Sequence, residues 1–112
     1  MKRQAKINKG LRLLDNSYNI KKNVVKINVG NTLFHELAKC KLVYEFVKQG
    51  KEVYTECIFK ERGRADVFIP EDLRVIEVLH SEKEEEALKK VDKYPSTLDI
   101  LFISTKDILK GV

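Results

Sequence analysis

Glycine, proline and cysteine are scarce in this chain, and long apolar runs are missing from it. The apolar stretches are short, Ile100-Leu101-Phe102-Ile103 among the longest. That is far below the roughly eighteen consecutive residues that span a bilayer, so no membrane association is expected. The basic opening MKRQAKINKG leads into no apolar segment, which argues against a secretory signal. Cys40 and Cys57 stand seventeen residues apart with no CxxC spacing, so a structural zinc site is excluded and reduced thiols in a cytoplasmic protein are expected. No Gly-rich phosphate loop, GxSxG or HExxH occurs, and two histidines, His35 and His80, are too few for a His-rich metal site. What is present suits one domain. Of 112 residues 43% are apolar, enough for a single core and too few residues for two.

The net charge of +5 is unevenly spread. Residues 1–30 hold eight Lys/Arg against one acid, a net +7, which leaves the remainder at −2. Two units follow: a basic N-terminal arm over 1–30 and a single domain over 31–112. Lys2, Arg3, Lys6, Lys9, Arg12, Lys21 and Lys22 of the arm are the candidate contacts to a polyanion, nucleic acid being the commonest. A solvated tail is the alternative. The alternation near the end of 21–29 predicts a short edge strand closing at Gly30.

From Asn31 the signals sharpen. Asn31 or Thr32 can cap a helix reaching about Gln49, with Gly50 as its stop. Leu33, Leu37, Cys40, Tyr44 and Val47 form one apolar stripe, widened by Phe34, Leu42, Val43 and Phe46, and this stripe is expected to be buried. Three strands follow, Val53–Phe59, Arg64–Ile69 and Arg74–Leu79, with a turn at Pro70-Glu71-Asp72-Leu73. A second helix is expected from Ser81 to Tyr94, Glu84 completing a capping box and Pro95 ending it. The run Glu82–Glu86 reads as its solvated start. Leu98–Ile103 reads as a strand buried on both faces, and Ser104 opens a short final helix. The fold class is therefore α/β, a mixed four-stranded sheet flanked by helices.

The chemistry lies among carboxylates set in apolar runs, which are costly unless paired, protonated or bound to a cation. Glu36 is at the edge of the first helix's stripe, Glu56 is mid-strand, Asp66 interrupts Ala65–Ile69, and Glu77 interrupts Val75–Leu79. Counting outward from the turn sets Asp66 opposite Glu77. Two opposed carboxylates repel, so a cation between them makes sense of the pattern, and an oxygen-only donor set suits Mg²⁺ or Mn²⁺. Pairing of the same acids with Arg62, Arg64 or Arg74 fits equally. His80 is expected to pack or cap, His35 fits an exposed helix position as well as a functional one, and Tyr44, Tyr54 and Tyr94 are expected to be core or stacking residues.

Gly63-Arg64-Ala65-Asp66-Val67, a short turn, then Val75-Ile76-Glu77-Val78-Leu79-His80-Ser81 resembles the core of the PD-(D/E)XK nucleases. The branch it is most similar to is that of competence protein CoiA-like and RecB-like enzymes. His35 with Lys39, then Gly50, Val53 and Glu56, is similar to the preceding helix and strand there, and Lys90 with Tyr94 resembles the Q-x-x-x-Y helix. The likeness runs from about Asn31 to Ser104. It implies a restriction-endonuclease-like core and a DNA endonuclease or exonuclease dependent on Mg²⁺ or Mn²⁺. Asp66 and Glu77 would hold the metal, Glu36 would hold a metal-bound water, and Glu56 is a further acid. It also implies a homodimer. Where the family has lysine, or at times glutamine, this chain has Leu79. Lys39, Lys41 or Lys90 would then supply the missing charge, or the chain is a decayed nuclease fold that serves as a nucleic-acid-binding or assembly module.

Overall fold

Thr32 opens the principal helix. Its backbone is extended, and its Oγ1 accepts a hydrogen bond from His35 N at 3.1 Å, satisfying one of the amides that a helix start leaves unpaired. The helix α2 runs Leu33–Lys48, and Gly50, at φ +82°, supplies the left-handed stop. The computed structural model describes residues 2–15, 20–80 and 84–112; Ser81, and with it the expected capping box, lies outside them.

The hairpin follows the turn. Strand β2 is Arg64–Ile69 and β3 is Arg74–Leu79, joined by a 3-10 turn at Pro70–Asp72 with Leu73 left-handed. Strand β1, Tyr54–Ile58, pairs antiparallel with β2, and β4, Asp99–Ser104, lies parallel to β3. The sheet order is β1-β2-β3-β4, a mixed four-stranded sheet. Helix α4, Thr105–Ile108, starts from Ser104, whose Oγ accepts from Asp107 N. One core, built on Tyr54, Phe59, Phe68 and Tyr94, lies on one side of the sheet; α2 covers the other with Val43 against Val53, Val67, Ile69 and Ile76.

Three expectations from Asn31 onward differ from the structure. The buried face of α2 is His35, Glu36, Ala38, Lys39 and Val43, while Leu33, Phe34, Leu37, Tyr44 and Val47 are exposed. Pattern reading ranks faces by hydropathy, whereas here oppositely charged side chains neutralise one another inside. The helix expected over 81–94 is short: α3 spans Glu84–Leu88 and a 3-10 turn follows at Val91–Lys93. Two bonds hold that turn against the start of β2, Gly63 N to Lys93 O and Tyr94 OH to Arg64 O, both at 2.6 Å. Strand β4 is at the sheet edge and half-exposed rather than buried on both faces.

The first thirty residues also differ. Helix α1, Arg3–Leu11, buries Ile7 and Gly10 against the Pro70–Asp72 turn, and Leu14 joins the core and pairs with Phe59. Residues 20–30 form no strand. One backbone bond, Asn23 N to Val53 O, and several side-chain bonds lay them along β1: Asn23 Oδ1 accepts from Val53 N, and Thr55 Oγ1 accepts from Lys26 N while donating to Val24 O. These bonds shield an edge that would otherwise be open to pairing.

Candidate active site

The hairpin register places the acids. Val67 pairs with Ile76, Phe68 with Val75 and Ile69 with Arg74; one step further along this register brings Asp66 opposite Glu77. There the ladder gives way. Val78 N donates to Asp66 Oδ2 at 2.8 Å, and the two carboxyl groups share a hydrogen bond. Burial, then the charge of Asp66, pushes Glu77 well above the usual carboxylate range. Asp66 is held low despite its own burial, because His35, Glu77 and Val78 N all favour its ionised form. A hydrogen bond between two carboxyl groups needs a proton, and the upward shift of Glu77 beside the lowered Asp66 favours the Glu77 side.

A neighbouring deviation opens the strand. Tyr54 and Cys57, three apart, belong to the same core cluster, as do Ala65 and Phe68; strict alternation would put each pair on opposite faces. The β1–β2 offset is the same on both sides of Glu56 and Asp66, which are themselves unpaired in the ladder, and the odd step is taken at Glu56, whose φ is +52°. A left-handed conformation costs a residue with a Cβ roughly 1 kcal/mol or more, and such strain gathers at functional sites. It turns Glu56 toward α2, where its Oε2 lies 3.4 Å from Lys39 Nζ and its Oε1 accepts from Asn28 Nδ2.

Under α2 the charges interlock. Lys39 is fully buried, its Nζ 2.6 Å from Glu36 Oε2. Glu36 also accepts from Asn28 N and Asn31 Nδ2 at 3.0 Å, and lies 2.8 Å from His35 Nδ1. Burial alone would raise its pKa; Lys39, Asn28, His35 and Asn31 together bring it down to about 2. The other nitrogen of His35, Nε2, is 3.3 Å from Asp66 Oδ2. Burial pulls His35 down, but Asp66 and then Glu36 more than offset it, so the imidazole titrates above its ordinary 6.5.

These side chains meet a cleft of about 530 Å³. His35, Glu56, Asp66, Glu77 and Leu79 line it, with Asn28, Asn31 and Thr32 at one side. Arg62, Arg64, Lys90 and Lys93 supply its positive charge. Gly63 is needed there: a Cβ would stand 2.3 Å from Lys93 O, so any side chain would push away the turn that carries Lys90 and Lys93. The charge of Lys90 acts on Glu77.

The structure thus brings Asp66, Glu77, Glu56 and Lys90 to one cleft. Glu36 and Lys39 lie behind it, joined to it through His35 and Glu56. Lys41 is elsewhere: its Nζ donates to Ile108 O at 2.6 Å, closing the end of α4. Arg62 pairs with Asp15 and Arg74 with Asp99, both at 3.1 Å, so neither neutralises Asp66 or Glu77. None of the seven N-terminal bases lines the cleft; Arg3 instead reaches Gly50 O and Glu71, and Lys22 approaches Glu52 at 3.8 Å. His80 packs as expected, stacked on Phe34 with Nδ1 3.0 Å from Thr105 Oγ1.

His35 is the residue that pattern reading missed. Its signal was present in the sequence: His35, Glu36 and Lys39 fall within about one turn near the start of the helix, a titratable cluster of both signs. Among the described residues, no three histidine, cysteine or carboxylate side chains already form a cation cage. None of the described helices is long and apolar enough to cross a membrane. Comparison with protein-family models, with curated proteins and with solved structures found no match.

Proposed function

We propose that this protein is a metal-dependent nuclease that hydrolyses phosphodiester bonds of DNA in this cleft, on a restriction-endonuclease-like core. The observation that carries the reading is the hydrogen-bonded Asp66–Glu77 pair in a cleft edged by Arg64, Lys90 and Lys93. Asp66 and Glu77 would hold Mg²⁺ or Mn²⁺, hard ions that suit two oxygen donors whose charges repel. When bound, such an ion supplies a water of lowered pKa and offsets charge on the scissile phosphate.

The chain's own groups do the rest. Val78 N and His35 Nε2 fix the orientation of Asp66, and Glu36 fixes His35 from behind. Lys90, whose charge reaches Glu77, provides the positive charge that Leu79 cannot. Arg64 and Lys93 hold flanking phosphates. Leu79, lining the cleft, favours one second reading, a DNA-binding module on the same fold that has lost cleavage.

A Mn²⁺-dependent assay on linear, nicked and four-way-junction DNA separates the two readings. The nuclease cuts at least one form, and Asp66→Ala abolishes the cutting. Metal alone raises the Tm of the wild type and not that of Glu77→Gln. Binding without cutting by the wild type, with no metal-induced shift, leaves the module reading.

A further inference from the structure

Apart from Phe34, which stacks on His80, the outward apolar side chains of α2 join no core cluster among the described residues. Leu33, Leu37, Cys40, Tyr44 and Val47 follow one another at intervals of four, three, four and three residues. Leu33 is 70% exposed, Leu37 44%, Tyr44 64% and Val47 39%, with Phe34 beside them at 55%. None of these five belongs to a core cluster; α2 packs on the sheet and α4 through Ala38, Leu42, Val43 and Phe46. Single exposed apolar residues are ordinary, but a continuous line of them marks an interaction surface.

We propose that this face is an interface between two copies of the chain, α2 of one lying along α2 of the other. The spacing names the occupant. Alternating steps of four and three residues make the a/d seam of paired helices, and its complement is a helix with the same spacing. Each copy carries one, and a two-fold axis sets the same patch against itself. The area agrees as well. From Leu33 to Val47 the line is about 21 Å long, and the five exposed side chains offer on the order of 500 Å² of apolar surface. With a polar rim that approaches the roughly 800 Å² per partner of a small specific interface. An interface at the small end of the specific range is expected to dissociate on dilution. Glu45 and Lys48, both exposed on α2, put both signs of charge beside the seam, which suits a protein partner better than an anionic membrane surface. The inference stands apart from the nuclease reading, because no side chain of the seam lines the cleft.

Sedimentation equilibrium from micromolar to near-millimolar chain tests it. The wild type passes from one to two chains over that range. Leu37→Glu and Tyr44→Glu each remain single chains with unchanged circular dichroism, both side chains being exposed, while Lys6→Glu on α1 still pairs. A short bis-maleimide joins two wild-type chains through Cys40, mid-seam, since Cys57 is 1% exposed; Cys40→Ser abolishes that product. A single chain at every concentration, or a dimer indifferent to both glutamate variants, overturns the proposal.

Discussion

Glu36 and Glu77 are both acids set among apolar residues, and the protein treats them in opposite ways. Glu36 is met by an ammonium, two amide donors and an imidazole, and its pKa falls to about 2. Glu77 is met by burial and another carboxylate, and its pKa rises. A buried carboxylate with its lone pairs satisfied belongs to the scaffold. One that faces a second carboxylate in an open cleft is held in a state that a ligand can improve. His35 joins the two regions, one nitrogen toward each.

The largest effect is expected on the scaffold side. Lys39→Met removes the buried ammonium between Glu36 and Glu56 and leaves two carboxylates without it. Loss of one partner from a buried ion pair costs about 3–5 kcal/mol, read as a lower urea midpoint at unchanged m-value. Adding Glu36→Gln to Lys39→Met should restore part of that loss by removing the uncompensated charge. A loss below about 1 kcal/mol, within the range of exposed pairs, would mean that Lys39 escapes to water and that the contrast between the two regions is false.

The second effect is a pair of opposite pH slopes in metal-free protein. Glu36 has a folded pKa below its ordinary 4.5, so its stabilisation is complete above that value and is lost as pH falls toward about 2. Glu36→Gln should therefore cost on the order of 2 kcal/mol at neutral pH, the gap to wild type closing in acid. Glu77 has a raised folded pKa, so its contribution is present below the ordinary carboxylate value and is lost as pH rises. Glu77→Gln should match the wild type in mild acid and become the more stable of the two toward neutrality. Denaturant melts across that range measure both. Slopes of the same sign would show that the two carboxylates share one kind of environment.

Local chemistry made much of this legible, and pairing made the rest illegible. Thr32 and Gly50 mark α2 within a residue or two because capping is a short-range signal. The tight turn at Pro70–Leu73 fixes the hairpin register, so Asp66 and Glu77 could be set opposite one another by counting. The facing of α2 could not be read, since a ranking by hydropathy has no term for His35, Glu36 and Lys39 neutralising one another. Nor could the left-handed backbone at Glu56, which shifts the alternation of β1 while keeping its register. Charge counting favoured the first thirty residues as a free arm. Among the described residues there, Ile7 and Leu14 are buried, and Asn23 and Lys26 bond to Val53 and Thr55, so this stretch is packed on the rest of the chain.

The smallest effect decides which basic surface follows a phosphate backbone. Helix α1 packs on the turn at the far end of the hairpin, about 10 Å along the strand from Asp66, and Arg3 is engaged there with Glu71. Lys2, Lys6 and Lys9 are exposed, as are Arg64, Lys90 and Lys93, so replacing either trio by glutamine removes the same charge and spares the core. If DNA runs through the cleft, replacing the cleft trio should make the salt dependence of binding shallower, by up to about 0.9 in the log–log slope for each phosphate no longer neutralised. Replacing the α1 trio should move the slope by less than a single phosphate would, through long-range attraction that screening over about 10 Å already weakens at moderate salt. Fluorescence anisotropy with a labelled duplex at several salt concentrations measures both. A larger change from the α1 trio would place the phosphate track on the N-terminal helix and leave the cleft without its substrate.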